Sequence, residues 1–553
     1  VMINGQWYNA EKTNLQNRIR IKINLDESFQ VGLNSLKLEE IIASDVDGTV
    51  FQLDSIFERD FLVSYVFDIY GANITDLAGN TVDYMVHGSQ YKMIIELNNL
   101  GKLDINSIVI NDVLYEIDMI EISEDKSKIS IVFTSNTANS TVYVNSIEYV
   151  DKEEIIMKSI NRTFTSYILL DSDEIYYIEN AFDLMNMTHN SYYVLMNDID
   201  LSTVSWTPYS FSGILDGNGF TISNIEKTHF SSSSNPYSFA LFTSFLGRVQ
   251  NLTIKKVYID ISTQGNVTIS IFSNNLNGEV RNLNIQDSNI TINSMGSVKY
   301  GTVSTSGYNV LMNNLTIDSL MITVCSNSHS LVGGVASNIS GKVSKTSVSN
   351  LSIDVSNTAN AYTMVSGYIA SESIDTIKIS NSKLLNVLIT TNVVDGNNSS
   401  NISGFISVYN PSARFALIDS VYISNFKIVA QGDFVFANAI FAGRTNVEIT
   451  NTVIYDIDFN ISDTSFYRQF TNNIDGIATV SSDNKILNNN VYVVNNYRIE
   501  KNSSMFIIDD NLLITQETFF LEAFWINTLN WDIVVWNFND LTLEGSLGPS
   551  LQN

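Results

Sequence analysis

The side chains that could do chemistry are few and scattered. Four histidines, His87, His189, His229 and His329, stand far apart. None falls into the His-Glu-x-x-His spacing that puts two imidazoles and a general base on one helix face around zinc. Asp45-Val46-Asp47-Gly48-Thr49 opens like a calcium loop, with alternate carboxylates followed by glycine, but Ile56 occupies the twelfth position, where an acidic ligand belongs. An Asp-Gly turn is the plainer reading. Asp287 and Asp318 recur at one position of a repeated segment, and carboxylates facing one groove are what cleavage of a glycosidic bond requires. Aspartates at turns are the bland account. Cys325 lies in the apolar run LMITVCSNS, which predicts a buried, inert thiol; as the one cysteine it excludes an intramolecular disulfide. Trp525, Trp531 and Trp536 crowd the C-terminal segment, where they could stack on sugars or cover a core. This reading assigns no catalytic, cofactor-binding or metal-binding residue.

The elements that would position such groups follow from length and pattern. At 553 residues the chain exceeds one compact core, so several domains or an elongated repeat array are expected. Its 58 acidic and 30 basic residues give a formal charge of −28, which repels phosphate backbones and anionic bilayers. Nucleic acid and membrane insertion are therefore not expected partners, and no run of eighteen apolar residues offers a transmembrane helix. The chain opens at Val1 without a Met or a charged-then-apolar leader, as a processed or excised fragment would.

A cassette returns from about residue 249 to residue 493: VQNLTIKKVYIDI, VRNLNIQDSNITI, MNNLTIDSLMITV and VSKTSVSNLSIDV, then the looser NSKLLNVLI, SVYISNFKI, NTVIYDIDFNI and NNVYVVNNY. One inward residue from each copy gives Ile254, Ile285, Ile317, Val348, Leu384, Ile423, Ile454 and Val493, at gaps of 31, 32, 31, 36, 39, 31 and 39. Fixed strands with loops of variable length produce such drift, which predicts a right-handed parallel β-helix. A second apolar run between cassettes, as in LVGGVASNI, MVSGYIASES and NAIFAGR, predicts a second strand face. Its glycines, Gly334, Gly367, Gly404 and Gly443, allow a bend or a close inter-coil approach. Asn251, Asn282 and Asn314 share one cassette position and predict an amide ladder between coils. Asn251, Asn314 and Asn350 also read as glycosylation sequons, but only a ladder explains their register.

Both ends of a solenoid need closing, because a terminal coil exposes strand edges and core side chains. Residues 174–187 carry Ile178, Ala181, Phe182 and Met185 at helical spacing, predicting an amphipathic N-terminal cap extending to Leu201. The tryptophan-rich tail is expected to seal the last coil. Residues 1–150 read as strands, and the alignment of Leu33-Asn34-Ser35-Leu36 with Ile105-Asn106-Ser107-Ile108, 72 residues on, predicts two successive β-sandwich modules. The expected organisation is all-β: sandwiches at 1–84 and 85–155, a capped parallel β-helix at 156–515 and an aromatic cap at 516–553.

Tyr193 to Leu201 (YVLMNDIDL), Trp206-Thr207-Pro208 and residues 211–225 (FSGILDGNGFTISNI, two short strands around a tight Asp216-Gly217-Asn218-Gly219 turn) resemble the opening segment of bacterial GLUG-motif β-solenoid proteins. LFTSFLGRVQNLTI and IFSNNLNGEVRNLNI look like the repeats that continue such arrays, and FWINTLNWDIVVWNF with Gly548-Pro549-Ser550-Leu551 is similar to their closing segment. ANITDLAGNTVD, at 72–83, resembles the closing segment of bacterial immunoglobulin-like modules. The first resemblance covers residues 174–553 and implies a bacterial cell-surface or secreted protein, commonly an adhesin or stalk. Some relatives are joined to zinc peptidases that cut immunoglobulin A, so this chain would be a non-catalytic arm; no LPxTG-like sorting signal is visible. The expected role is an extracellular structural or adhesive module, without cofactor, that binds a glycan or a host or surface protein. The alternatives are a polysaccharide-active β-helix enzyme and a self-assembling filament subunit.

Overall fold

The computed structural model describes residues 69–553 apart from short segments, the longest being 394–399, 409–414, 464–471, 481–485 and 542–547, and within 1–68 it describes strand backbones alone. The chain is all-β, 68% strand and 6% helix, and divides into two compact units, Val1–Asp173 and Glu174–Asn553. Asp45 to Thr49 lie outside the described residues.

In the first unit two four-stranded antiparallel sheets share one core. One contains Ile69–Thr75, Gln90–Leu97, Lys128–Thr134 and Glu121–Ile122; the other contains Val113–Glu116, Asp104–Ile110, Thr141–Asp151 and Glu154–Ser166. Alternation sets the inward faces: along Gln90–Leu97 every second residue, Tyr91, Met93, Ile95 and Leu97, is buried, and these pack with Ile108, Ile129 and Ile147. Ile69–Thr75 pairs with Gln90–Leu97, so one sheet crosses the boundary placed at 84/85 from the sequence. Residues 72–79 thus form the strand and turn that open this sandwich, with the Gly79 N–H donating to the Asp76 carbonyl.

The second unit is a parallel β-solenoid of about 7 turns. Its main wall is a stack of long strands: β1 (Arg248–Thr263), β2 (Glu279–Ser294), β3 (Gly307–Ser326), β4 (Ile339–Asn357), β5 (Thr376–Val393), β6 (Phe415–Gly432), β7 (Val447–Asp463) and β8 (Ile486–Val494). Each pairs in parallel with the next. The eight inward residues, Ile254, Ile285, Ile317, Val348, Leu384, Ile423, Ile454 and Val493, stand in one unbroken register and are buried. The second apolar run forms two further stacks that close the lumen, one of seven parallel strands and one of five parallel strands joined at its end by the antiparallel Asn472–Ile474.

Where those two stacks meet each other, coils approach too closely for a side chain. A Cβ on Gly334 would lie 2.1 Å from the Gly367 carbonyl oxygen, and one on Gly404 2.1 Å from that of Ala439. Gly443 stands elsewhere, at the end of the strand Phe441–Gly443.

The opening coil departs from the sequence expectation in two ways. Ile214–Asp216 and Thr221–Ser231 do not pair as a hairpin; both lie in parallel against β1, and Asp216-Gly217-Asn218-Gly219 is a corner between them. Gly217 is required there because a Cβ would meet the Asn251 carbonyl at 2.4 Å. The N-terminal helix is also shorter than its periodicity suggested. Ile175–Ile178 is a strand paired with Tyr192–Leu195, and only Ala181–Met185 is helical, with Asn180 and Asp183 forming a capping box. Ile178, Ala181 and Leu184 face the core, whereas Phe182 is 67% exposed and Met185 also points outward, because the chain enters the helix from a strand and rotates its apolar face.

Candidate functional site

Each of β1 to β7 bends at two corners, five residues apart, where the backbone enters the left-handed region, and β8 bends at the first of them. The first corner carries Asn251, Asn282, Asn314, Lys345, Asn381, Ser420, Asn451 and Asn490 in successive coils; the second carries Lys256, Asp287, Ser319, Asn350, Asn386, Asn425 and Asp456. Asparagine suits both needs of a corner: it tolerates positive φ, and its amide donates and accepts along the stack.

The corner amides form three ladders, and these change column. Asn282 donates to Asn251 at 2.8 Å and Asn314 to Asn282 at 2.8 Å on the first corner. Lys345 ends that run, and the ladder resumes on the second corner, with Asn386 donating to Asn350 at 3.1 Å and Asn425 to Asn386 at 2.9 Å. It then returns to the first corner, where Asn490 donates to Asn451 at 3.0 Å.

Every ladder starts on an aspartate, which can only accept, placed one residue before the corner in the preceding coil. Asp216 takes Asn251 Nδ2 at 3.3 Å together with Gln250 and the Tyr192 hydroxyl at 2.9 Å each. Asp318 takes Asn350 at 2.8 Å with the hydroxyls of Ser349 and Ser319, and Asp419 takes Asn451 at 2.9 Å with Thr450 at 2.6 Å. Burial pushes the Asp318 carboxyl up, but its hydrogen bonds from Ser349, Ser319 and Asn350 outweigh that, and its pKa lies below the usual value.

The remaining sequence candidates fall apart in space or change meaning. Asp318 is in register with Gln286, not Asp287, which aligns with Ser319 at the next corner; the two aspartates therefore face no common groove position. Cys325 is half-buried and not enclosed, because it alternates outward from the buried Val324. His87 is exposed at a turn, His189 lies outside the described residues, and His229 stacks on Tyr237 at 3.9 Å between ring centres. Among the described residues no three His, Cys, Asp or Glu side chains gather as metal ligands would.

The tryptophans do not plug the open end of the last coil. They lie against the outside of the main wall, between its two corners. Tyr422, Val453 and Tyr492 share one outward register position, Leu385, Tyr455 and Val494 another, and these receive Phe519, Phe524, Trp525, Trp531 and Trp536. Phe519 stacks on Tyr455 at 4.7 Å, Trp525 meets Tyr422 edge-on at 5.8 Å, and Trp531 Nε1 donates to the Asn451 carbonyl at 2.9 Å. The outward Tyr422, Val453 and Tyr492 are the reason: they give the tail an apolar surface on the side of the coils.

One constellation was not singled out from the sequence. Lys299 Nζ lies 3.2 Å from Glu372, whose other oxygen accepts from the Tyr362 hydroxyl at 2.9 Å, and His329 stacks on Tyr362 at 3.8 Å. Burial lowers the His329 pKa, while the nearby Glu372 acts in the opposite direction. Four residue types suited to proton transfer thus meet on one partly exposed flank. Their sequence signal is weak, since Lys299 and Glu372 are 73 positions apart and meet through the stacking of intermediate coils. In the first unit a depression of about 430 Å³ is lined by residues including Leu114, Ile117 and Met157 with Glu116 and Glu148.

Fold and site together define a parallel β-solenoid protein with side-chain ladders at its corners and an aromatic tail strapped to its side. No family model matches the chain, and no curated protein matches it. Among solved structures it is similar to that of "a putative immunoglobulin A1 protease from Bacteroides ovatus", at 15% identity, over 69% of this chain and 93% of that one, with a TM-score of 0.29. A similarity that low carries no argument about fold or activity.

Proposed function

We propose that the chain is a non-catalytic structural and adhesive module of a bacterial cell-surface or secreted protein, in which immunoglobulin-like modules precede a right-handed, GLUG-type solenoid that presents binding surface. The observation that carries this reading is the unbroken register of eight inward positions tied together by corner ladders. A wall fixed in this way presents side chains in straight columns about 4.8 Å apart, at little ordering cost when a ligand docks. The right hand is supported by the strong preference of strand-crossover-strand connections for that chirality. Glycans and host or surface proteins are the partners proposed, and the negative charge disfavours polyanions.

The second reading, a polysaccharide-active enzyme, is favoured by the Lys299, Glu372, Tyr362 and His329 constellation. Incubating the full chain with a polysaccharide panel and analysing soluble products separates the two. The adhesive reading predicts saturable retention with no product release and no difference between the wild type and Glu372→Gln. Products released by the wild type and not by that variant would replace it with the enzyme.

A further inference from the structure

The wall that follows the second corner carries a column with its own alternation. In register across β1 to β6 it reads Tyr258, Asn289, Met321, Ser352, Leu388 and Lys427. Tyr258, Met321 and Leu388 are 47%, 52% and 38% exposed although they sit on a rigid sheet. On the wall between the corners, by contrast, the outward Tyr422 and Val453 are fully buried under the tail. The exposed three stand two coils apart, so they recur about every 9.6 Å along the solenoid axis.

We infer that this column is the binding track for a neutral, extended β-1,4-linked glycan lying parallel to the solenoid axis. The inference rests on the adhesive reading above and names its ligand class. A two-coil spacing matches the disaccharide repeat of such a chain, so each apolar side chain meets every second sugar on the same face. The parallel column beside it, which includes Thr291, Thr323 and Thr390, lines the track with hydroxyl groups that can exchange hydrogen bonds with sugar hydroxyls. Asp260 and Asp354 stand in that column too, and with a net charge of −28 they disfavour a polyanionic glycan, which leaves a neutral one as the electrostatic match. Because the strands are already fixed, little conformational freedom is lost when the polymer docks.

Isothermal titration calorimetry of the full chain with cellohexaose, chitohexaose, maltohexaose and a hyaluronan hexamer tests this, each β-1,4-linked hexamer spanning the three apolar positions. The expected result is saturable binding of cellohexaose or chitohexaose, none of the α-linked or anionic hexamers, and at least tenfold weaker binding in the triple variant Tyr258→Ala, Met321→Ala, Leu388→Ala. Tyr308→Ala, exposed ahead of the first corner, should bind as the wild type does. Equal binding of maltohexaose, wild-type affinity in the triple variant, or self-association of the chain that the triple variant abolishes would overturn the track. If the hexamers fail while the chain still binds another immobilised glycan or matrix protein, the track falls and the adhesive role stands. Binding to nothing in such a panel removes both.

Discussion

The first four and last four strands of the main wall share one inward pattern and differ on the outside. Between the corners, β1 to β4 present Thr253, Asn284, Thr316 and Ser347; β5 has Lys383 at that register position with the apolar Leu385 two residues on, and β6 to β8 present Tyr422, Val453 and Tyr492 there. The polar half is left open, and the apolar half is covered by the aromatic tail. Inward residues thus determine that a coil forms, and outward residues determine what lies on it. The contrast also separates two kinds of stabilisation: dispersion and area burial under the tail, and polar ladders at the corners.

The largest effect is expected under the tail. Trp525→Ala removes a fully buried indole and should cost about 3–5 kcal/mol in the unfolding of the C-terminal coils, read by denaturant titration with protease susceptibility of residues 516–552. A loss as small as that of an exposed residue would show that the tail is loosely held. Next is Gly404→Ala, where the new Cβ meets the Ala439 carbonyl; an overpacking cost of about 1–3 kcal/mol is expected, and a neutral result would mean that the coils can separate there.

The ladders come third. Asn282→Ala breaks two rungs and should cost about 1–2 kcal/mol, while Asn282→Gly, which keeps the left-handed corner accessible, should lose only the hydrogen bonds. Equal losses in the two variants would assign the effect to amides alone. The smallest effect concerns pH. The folded state lowers the Asp318 pKa, so its contribution is complete above the ordinary carboxylate range, near 4, and disappears as pH falls through the folded value. The stability difference between the wild type and Asp318→Asn should therefore narrow on acidification and stay constant above that range. A difference that widens on acidification would contradict the assignment.

Much of this was legible in the sequence, for physical reasons. Ile254 through Val493 could be aligned from spacing because an inward position tolerates only apolar side chains, whatever the loop length. The ladder of Asn251, Asn282 and Asn314 was equally visible, but its continuation at Asn350, Asn386 and Asn425 was not, since the amides had moved five residues along the strand. A signal for the move exists: Asp-Ser at 318–319 and 419–420, followed 31 residues later by Ser-Asn or Thr-Asn. Helical spacing misjudged residues 174–187 because Ile178 belongs to a strand, which resets the phase before Ala181. The tail was expected over the end of the solenoid, although Tyr422 and Tyr492 in the late cassettes already marked an apolar flank. The Lys299, Glu372, Tyr362 and His329 group could not be read, as loop lengths decide which residues of different coils meet.

Hydrogen–deuterium exchange on the full chain and on residues 1–514 tests the central contrast most directly. If the tail lies along the flank, removing it should raise exchange in β5 to β8 around Leu385, Tyr422, Val453 and Tyr492 and leave β1 to β4 unchanged. Faster exchange confined to β8 and the residues after it would contradict the lateral placement and restore a plug over the end of the solenoid.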